Sequence, residues 1–349
     1  MSAVFVIAEA GSNWRMGEPR RDLAMGRALI DVAVAADADA VKFQTYRSAT
    51  VYAPDAGQTA YLADQGVETS INAVFEDLEM PYELIPSLAA YCASQGIEFM
   101  STPFSVEDAA SVDPHVRRHK VASYEINHLR LLQALARTGK PMIISTGGAS
   151  LDEIAFALAT VRAEGASDVT VLQCTASYPA PPEAANLLAI PTLRERFGVA
   201  VGLSDHTKDP LVAPLGAVAL GATVIEKHYT IDRRLPGPDH PFALEPDELR
   251  AMIQGLRIME QSLGSGDKVV QPAEEELRGF AHRAVQAVRD IAPGEVFVED
   301  DNVALLRPGN RSRGVDAHLF DEVLGRRSRR PIARGDGVTA DAIDPALER

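Results

Sequence analysis

The chain has 349 residues, 46% of them hydrophobic and 24% charged, with a formal net charge of −15. That is the composition of an ordinary globular protein with a sizeable core. The acidic balance argues against a nucleic-acid footprint or an anionic membrane surface. The only cysteines, Cys92 and Cys174, make neither a disulfide framework nor a zinc knuckle. No apolar run is long enough for a membrane span, and Met1 leads into an apolar strand without a basic leader, so a cytoplasmic protein is expected.

Strand and helix signals alternate from the start. Val4 to Ala8 reads as a short strand ending in E-A-G-S-N, Leu23 to Ala36 as a helix, and Ala40 to Phe43 as a strand ending in K-F-Q-T. A polar excursion from Tyr46 to Met80 is too long for a plain connector and is expected to form a lid or subunit contact. Next come a helix at Pro81 to Ser94 and strands at Glu98 to Met100, ending in S-T-P-F-S, and His119 to Ala122, ending in S-Y-E. A helix near Leu129 to Arg137, a strand at Pro141 to Ile144 before S-T-G-G, and a helix at Leu151 to Glu164 continue the cadence. Val169 to Gln173 runs into C-T-A-S-Y-P, Val199 to Leu203 into S-D-H-T, and Thr223 to Ile225 into E-K-H-Y-T. Helices at Pro210 to Leu220 and Pro246 to Leu263 complete the pattern.

Eight such strands predict a (β/α)8 barrel over residues 1–263, since every polar cluster follows a strand's carboxyl end and no G-x-G-x-x-G follows the first strand. The L-G-S-G-D-K turn opens a linker, 264–278. Beyond it the signs of charge nearly balance and every basic residue is arginine. Short strands at Ala287 to Ile291, Val296 to Val298, Val303 to Leu305 and Ser328 to Ile332 make 279–349 a small β-rich domain. Its Arg326, Arg327, Arg329 and Arg330 read as a solvated strand edge or an inter-domain contact.

Parallel strands carry their carboxyl ends to one face, so His206 and His228 are expected to converge there, near Asp205 and Glu226, as ligands of a divalent ion. A lone histidine is more often structural; two at equivalent strand ends favour a metal. Lys42, Lys120 and Lys227, with the hydroxyls of Ser101, Thr102, Ser123, Ser145, Thr146 and Ser204, suit a ligand bearing a phosphate and a carboxylate. Single serines on a barrel rim are commonly loop residues, but lysines at three strand ends are harder to dismiss. Glu9, Glu125 and Glu226 are the acid and base candidates, with structural ion pairing as the competing reading.

With these words in place the chain resembles the N-acetylneuraminate (sialic acid) synthase family. The matching stretches are A-E-A-G-S-N at Ala8, V-K-F-Q-T at Val41, S-T-P-F-S at Ser101, K-V-A-S-Y-E at Lys120, S-T-G-G at Ser145, C-T-A-S-Y-P at Cys174, G-L-S-D-H-T at Gly202, E-K-H-Y-T at Glu226, P-G-P-D-H at Pro236 and R-P-G-N at Arg307. The resemblance implies a (β/α)8 barrel followed by an antifreeze-like (SAF) domain. It also implies condensation of phosphoenolpyruvate with an open-chain acetamido-sugar aldehyde, N-acetylmannosamine or a relative, giving a nonulosonic 2-keto acid and phosphate. By the same resemblance His206 and His228 would bind Mn2+ or Mg2+, Lys42 and Thr102 the substrate carboxylate, and Lys120, Ser123, Ser145 and Ser204 its phosphate. Lys42, Glu9 and Glu125 would be the catalytic groups, Glu125 managing protons around the attacking water; Glu9, Gln44, Tyr178 and Asp239 would face the sugar. Arg307 would reach the sugar site of a partner in a domain-swapped homodimer.

Three positions depart from the family pattern: Trp14 in place of a histidine, Ala176 in place of a polar residue for which Ser177 could partly substitute, and the run Asn310 to Gly314. The changes at Trp14 and Ala176 motivate an alternative acceptor aldehyde in specialised metabolism. A non-catalytic ligand-binding relative is the remaining alternative, and it would be expected to have lost a metal histidine or Glu125.

Overall fold

A computed structural model describes residues 3–58 and 69–345, which divide into two compact units, Met1–Ser265 and Gly266–Arg349. In the first, eight parallel strands alternate with helices: β1 (Phe5–Gly11), α1 (Pro19–Ala35), β2 (Ala40–Thr45), α2 (Leu84–Gln95), β3 (Glu98–Pro103), α3 (Val106–Val112), β4 (His119–Val121), α4 (Leu129–Ala136), β5 (Met142–Ser145), α5 (Leu151–Ala163), β6 (Val169–Cys174), α6 (Ala189–Phe197), β7 (Ala200–Asp205), α7 (Val212–Ala219), β8 (Val224–His228) and α8 (Pro246–Leu263). The hydrogen-bonded order β3-β2-β1-β8-β7-β6-β5-β4 wraps round so that β3 and β4 meet. At their amino ends the Arg118 guanidinium bonds Glu98 at 2.9 Å and lies 4.1 Å above the Phe5 ring. The fold is a nearly closed (β/α)8 barrel.

Strand alternation separates two environments. Ile7, Met100, Ile143, Leu172 and Val224 form an apolar layer, and two residues further along the same strands stand Glu9, Thr102, Ser145, Cys174 and Glu226. A larger apolar cluster joins the intervening side chains, such as Val6, Val41, Val121, Ile144, Val201 and Ile225, to the surrounding helices. Gly202 is the small residue that lets β7 and β8 close around Leu172: a β-carbon there would stand 2.3 Å from the Val224 carbonyl oxygen and 2.6 Å from Leu172 Cδ2.

Strands β1, β2, β3, β7 and β8 run two or three residues beyond the apolar stretches visible in the sequence, because their polar last turns still pair; β5 and β6 gain one residue and β4 stops one short of Ala122. Helices α3 and α6 were absent from the sequence reading. Ser105 caps α3 by accepting from the Asp108 amide at 3.1 Å, and Gly198 in the left-handed conformation ends α6. The excursion expected as a lid contains short helices Ser48–Val51 and Ile71–Asp77, with Phe75 packed on Tyr46 and Tyr52; residues 59–68 of it lie outside the described residues.

In the second unit β9 (Ala284–Ala287) pairs antiparallel with β10 (Val303–Leu306), and β11 (Arg327–Ser328) with β12 (Ile343–Asp344), about a core that includes Val285, Phe297, Val323 and Val338. The first strand therefore begins before Ala287 rather than at it, with the buried Gln286 amide bonded to the carbonyls of Ser312 and Gly335. The expected strand at Val296 to Val298 is a single bridge to Arg327. The stretch 264–278, expected as a linker, holds the turn Pro272–Glu274 and the first residues of helix Glu275–Ala281. Among the described residues no helix is long and apolar enough to cross a membrane.

Candidate active site

The carboxyl ends of the strands enclose a polar cavity. Twelve residues expected at a site lie on its wall: Glu9, Lys42, Gln44, Thr102, Lys120, Ser123, Ser145, Tyr178, Ser204, His206, Glu226 and His228. At its centre is Glu226, which sequence reasoning proposed as an acid or base but did not identify as the hub. Its Oε1 accepts from the Ser204 hydroxyl at 3.0 Å and lies 3.7 Å from Lys120 Nζ; its Oε2 lies 3.8 Å from Lys42 Nζ. Lys42 also pairs with Glu9 at 2.6 Å and donates to Thr102 at 2.9 Å, and Gln44 donates to the other Glu9 oxygen at 3.0 Å. Lys120 donates to the Ser145 hydroxyl at 2.6 Å and to the Val121 carbonyl at 3.0 Å.

These buried charges set one another's protonation. Burial pushes the Glu226 carboxyl upward, but Lys120 and Lys42 outweigh it and hold the group down at about 2. For Glu9 burial prevails: the neighbouring Lys42 opposes it, Glu226 adds repulsion, and the carboxyl is pushed up to about 7. Burial lowers Lys120 despite the attraction of Glu226, whereas Lys42, between two carboxylates, is raised overall against the same burial. The cavity thus keeps two ammonium groups and one firmly ionised carboxylate, together with hydroxyls from four strands or their loops, an arrangement that can receive an anion with several oxygens.

The two histidine rings converge with centroids 5.4 Å apart. His206 Nδ1 donates to the Thr175 carbonyl at 2.8 Å, which fixes the tautomer and leaves Nε2 with its lone pair. His228 Nδ1 is buried without a hydrogen-bond partner, and burial followed by the charges of His206 and Lys42 holds that imidazole well below its usual range, hence neutral. Two imidazole nitrogens facing a polar cavity fit a divalent ion whose remaining ligands are water and substrate oxygens; burial opposes a proton on His206, but Cys174, the Thr175 carbonyl and Asp205 outweigh it and raise that ring, so an ion would have to displace the proton there. No cluster of three His, Cys, Asp or Glu side chains suited to a metal occurs among the described residues, so the protein's own share of such a site is the histidine pair. The Tyr178 ring lies 4.3 Å from His206, and Phe242, which sequence reasoning missed, lies 5.1 Å from His228. Only its position in the loop after P-G-P-D-H could have drawn attention to that phenylalanine.

Asp239 sits at the end of β1, where its Oδ2 accepts from the Ser12 amide at 3.1 Å and hydroxyl at 3.0 Å. Glu125 is on the short turn Ser123–Glu125 after β4, outside the cavity wall, and burial together with the Asp108 charge pushes its carboxyl up to about 7. Arg307 is exposed in the second unit, directly after β10.

Strand alternation corrects the placement of Lys227 and Asp205. Lys227 and Asp205 do not face the cavity: Lys227 follows Glu226 on β8, points to the opposite face and pairs with Asp205 there. Two lysines, not three, therefore form the anion pocket, and the Asp205 carboxylate turns away from the cavity, although its charge still acts on His206. Trp14 is buried in the hydrophobic core, away from the cavity wall. Ser177 donates to the Pro179 carbonyl at 3.1 Å and is exposed, so it does not stand in for the polar group that Ala176 lacks. The Ala176 methyl instead packs within 2.9 Å of where a Gly147 β-carbon would be, beside Cys174 and Ser123.

Comparison with known proteins agrees with this architecture over nearly the whole chain. Residues 29–268 match the NeuB family and residues 282–344 the SAF domain. The spore coat polysaccharide biosynthesis protein SpsE of Bacillus subtilis is 43% identical, over 97% of this chain and 93% of that protein. An N,N'-diacetyllegionaminic acid synthase of Legionella pneumophila is 37% identical, over 97% of this chain and 94% of its own length. The crystal structure of an N-acetylneuraminic acid (sialic acid) synthetase from Leptospira borgpetersenii superposes with a TM-score of 0.70 at 34% identity, covering 79% of this chain and 90% of that one. The chain belongs to the NeuB family and carries a SAF domain after its barrel.

Proposed function

We propose that this protein is a nonulosonic acid synthase, condensing phosphoenolpyruvate with the open-chain aldehyde of an acetamido sugar. The observation that carries the reading is the pairing, in one buried cavity, of Lys42 and Lys120 around Glu226 with the converging rings of His206 and His228. Related chains named as synthases of legionaminic and N-acetylneuraminic acids support the same chemistry.

On this reading Lys42 and Thr102 hold the substrate carboxylate, and Lys120 with Ser123, Ser145 and Ser204 holds its phosphate, where fixed charge also favours the tetrahedral intermediate. Carbon 3 of phosphoenolpyruvate uses the C2–C3 π pair to form the new C–C bond with the aldehyde carbon; the aldehyde C=O π bond breaks, its oxygen takes up a proton, and positive charge is left at C2. Water then adds at C2 and the C2–O bond to phosphate breaks. Glu125 takes the proton of that water, and Glu9, Gln44, Tyr178 and Asp239 orient the sugar. His206 and His228 would hold a divalent ion, Mn2+ or Mg2+, which when bound would supply Lewis-acid polarisation of the aldehyde oxygen. A cytoplasmic, domain-swapped homodimer in which Arg307 serves the sugar end belongs to the same proposal.

The test is incubation of the purified protein with phosphoenolpyruvate, Mn2+ and a panel of acetamido hexoses, following inorganic phosphate and product mass. Phosphate release that needs both metal and sugar, with a product heavier than the sugar by the pyruvate carbons, is expected. Absence of release across the panel overturns the reading. The methyl group of Ala176, where the family pattern has a polar residue, favours including aldehydes outside the N-acetylmannosamine series, and the panel separates these acceptors.

A further inference from the structure

Lys227 separates two cavity residues of β8, Glu226 and His228, yet its own side chain leaves from the other face and is almost wholly enclosed, with 2% of its surface exposed. Its ammonium meets four oxygens: Asp205 Oδ2 and the Thr207 carbonyl, each at 2.5 Å, the Asp209 carbonyl at 3.0 Å and the Thr207 hydroxyl at 3.3 Å. Asp205 in turn accepts from the Thr207 amide at 2.9 Å and hydroxyl at 3.0 Å, closing a tight turn. These contacts bracket His206, from Asp205 before it to Thr207 and Asp209 after it.

Their location matters because the β7–β8 ladder stops at the pair Asp205 and Lys227. His206 lies one residue past the last strand position, where no ladder holds the backbone. Its ring is tied to β6 through the Thr175 carbonyl. Its own carbonyl accepts from the Ala180 amide at 2.9 Å, and the residues on either side of it, Asp205 and Thr207, are held from β8 through the Lys227 side chain, by the strand that also carries His228. We infer that Lys227 is a positioning residue for the imidazole pair: it staples the turn bearing His206 to the strand bearing His228 and so fixes the separation of the two metal donors. The inference rests on the proposed metal role of that pair. The competing account, a buried ion pair that serves stability alone, makes a different prediction once the charge on Asp205 is also removed.

The probe is Mn2+ titrated into the full-length protein, with free ion followed by electron paramagnetic resonance and thermal unfolding recorded without metal. Lys227→Met removes the staple and strands a buried carboxylate. Lys227→Met combined with Asp205→Asn removes the stranded charge while an amide can still bridge Thr207. The expected result is Mn2+ affinity weakened by about 10- to 100-fold in both variants, the range found when groups supporting metal ligands are lost, with the unfolding temperature recovered in the double variant. Wild-type Mn2+ affinity in the double variant overturns the inference and leaves the metal reading intact. Failure of the unsubstituted protein to bind Mn2+ overturns both.

Discussion

The ammonium group of Lys42 stands 2.6 Å from the carboxylate of Glu9, and both side chains are buried. Burial nonetheless wins over that contact and pushes Glu9 up to about 7. Lys42 is therefore a cation whose nearest partner gains or loses charge near neutral pH.

Below about 7 Glu9 is neutral and the Lys42 charge is left for an incoming anion; above it the carboxylate competes for the same ammonium. The KM for phosphoenolpyruvate is expected to rise as pH increases through about 7, and Glu9→Gln should flatten that limb. Comparing the two proteins removes the contribution of the substrate's own phosphate ionisation. The stability effect has the same sign. A carboxyl raised in the folded state binds its proton more tightly there, so folding is favoured at low pH and loses that contribution between the ordinary 4.5 and about 7. Unfolding midpoints of the Gln variant should lack this decline.

Lys120→Met takes from Glu226 one of the two cations that hold it at about 2. A broken buried ion pair costs roughly 3–5 kcal/mol, so the thermal midpoint should fall clearly. In the unsubstituted protein the Glu226 contribution is lost only as pH drops from the ordinary 4.5 towards about 2; in the variant the loss should begin at higher pH. Adding Glu226→Gln should restore stability without restoring substrate binding. The expected rise in KM for phosphoenolpyruvate is about 10- to 100-fold in both variants, the worth of one charge-assisted hydrogen bond.

The barrel was legible because each short apolar run is followed by a polar word, and parallel strands gather such words at one end. The strand limits were not, since a polar word that still pairs looks like a loop in sequence: Thr45, Pro103, Cys174, Asp205 and His228 all belong to strands. The same oversight placed Lys227 and Asp205 in the cavity. Within E-K-H only the first and third residues can face one side of a strand, and within S-D-H the middle one must face the other. Phe242 carries no chemical signature and its place beside His228 comes from a loop closure that spacing does not reveal.

Gly11→Ala tests the acceptor end. Gly11 has φ +53°, and a β-carbon there would lie 2.4 Å from Asp239 Oδ2 and 3.5 Å from His228 Cε1. The added methyl must displace the carboxylate that Ser12 holds. The KM for the sugar is expected to rise at least about tenfold, a cost on the order of 1.4 kcal/mol, with the KM for phosphoenolpyruvate changed far less. Equal changes in both constants would place Asp239 elsewhere than at the sugar.

Glu125 offers the sharpest separation of binding from chemistry, because it stands outside the cavity wall beside Ser123, which lies on it. Burial first, then the charge of Asp108, lifts its carboxyl to about 7, so it is half ionised where a base for water should be. If it takes the proton of the attacking water, kcat should increase with pH through about 7, against the trend that Glu9 imposes on KM. Glu125→Gln should lower kcat by about 10²- to 10⁴-fold, erase that limb and leave the KM for phosphoenolpyruvate within about twofold. Asp108→Asn removes the smaller of the two causes and should move the limb to lower pH without abolishing it. A kcat profile that keeps its limb in the Gln variant would assign the proton transfer to another group.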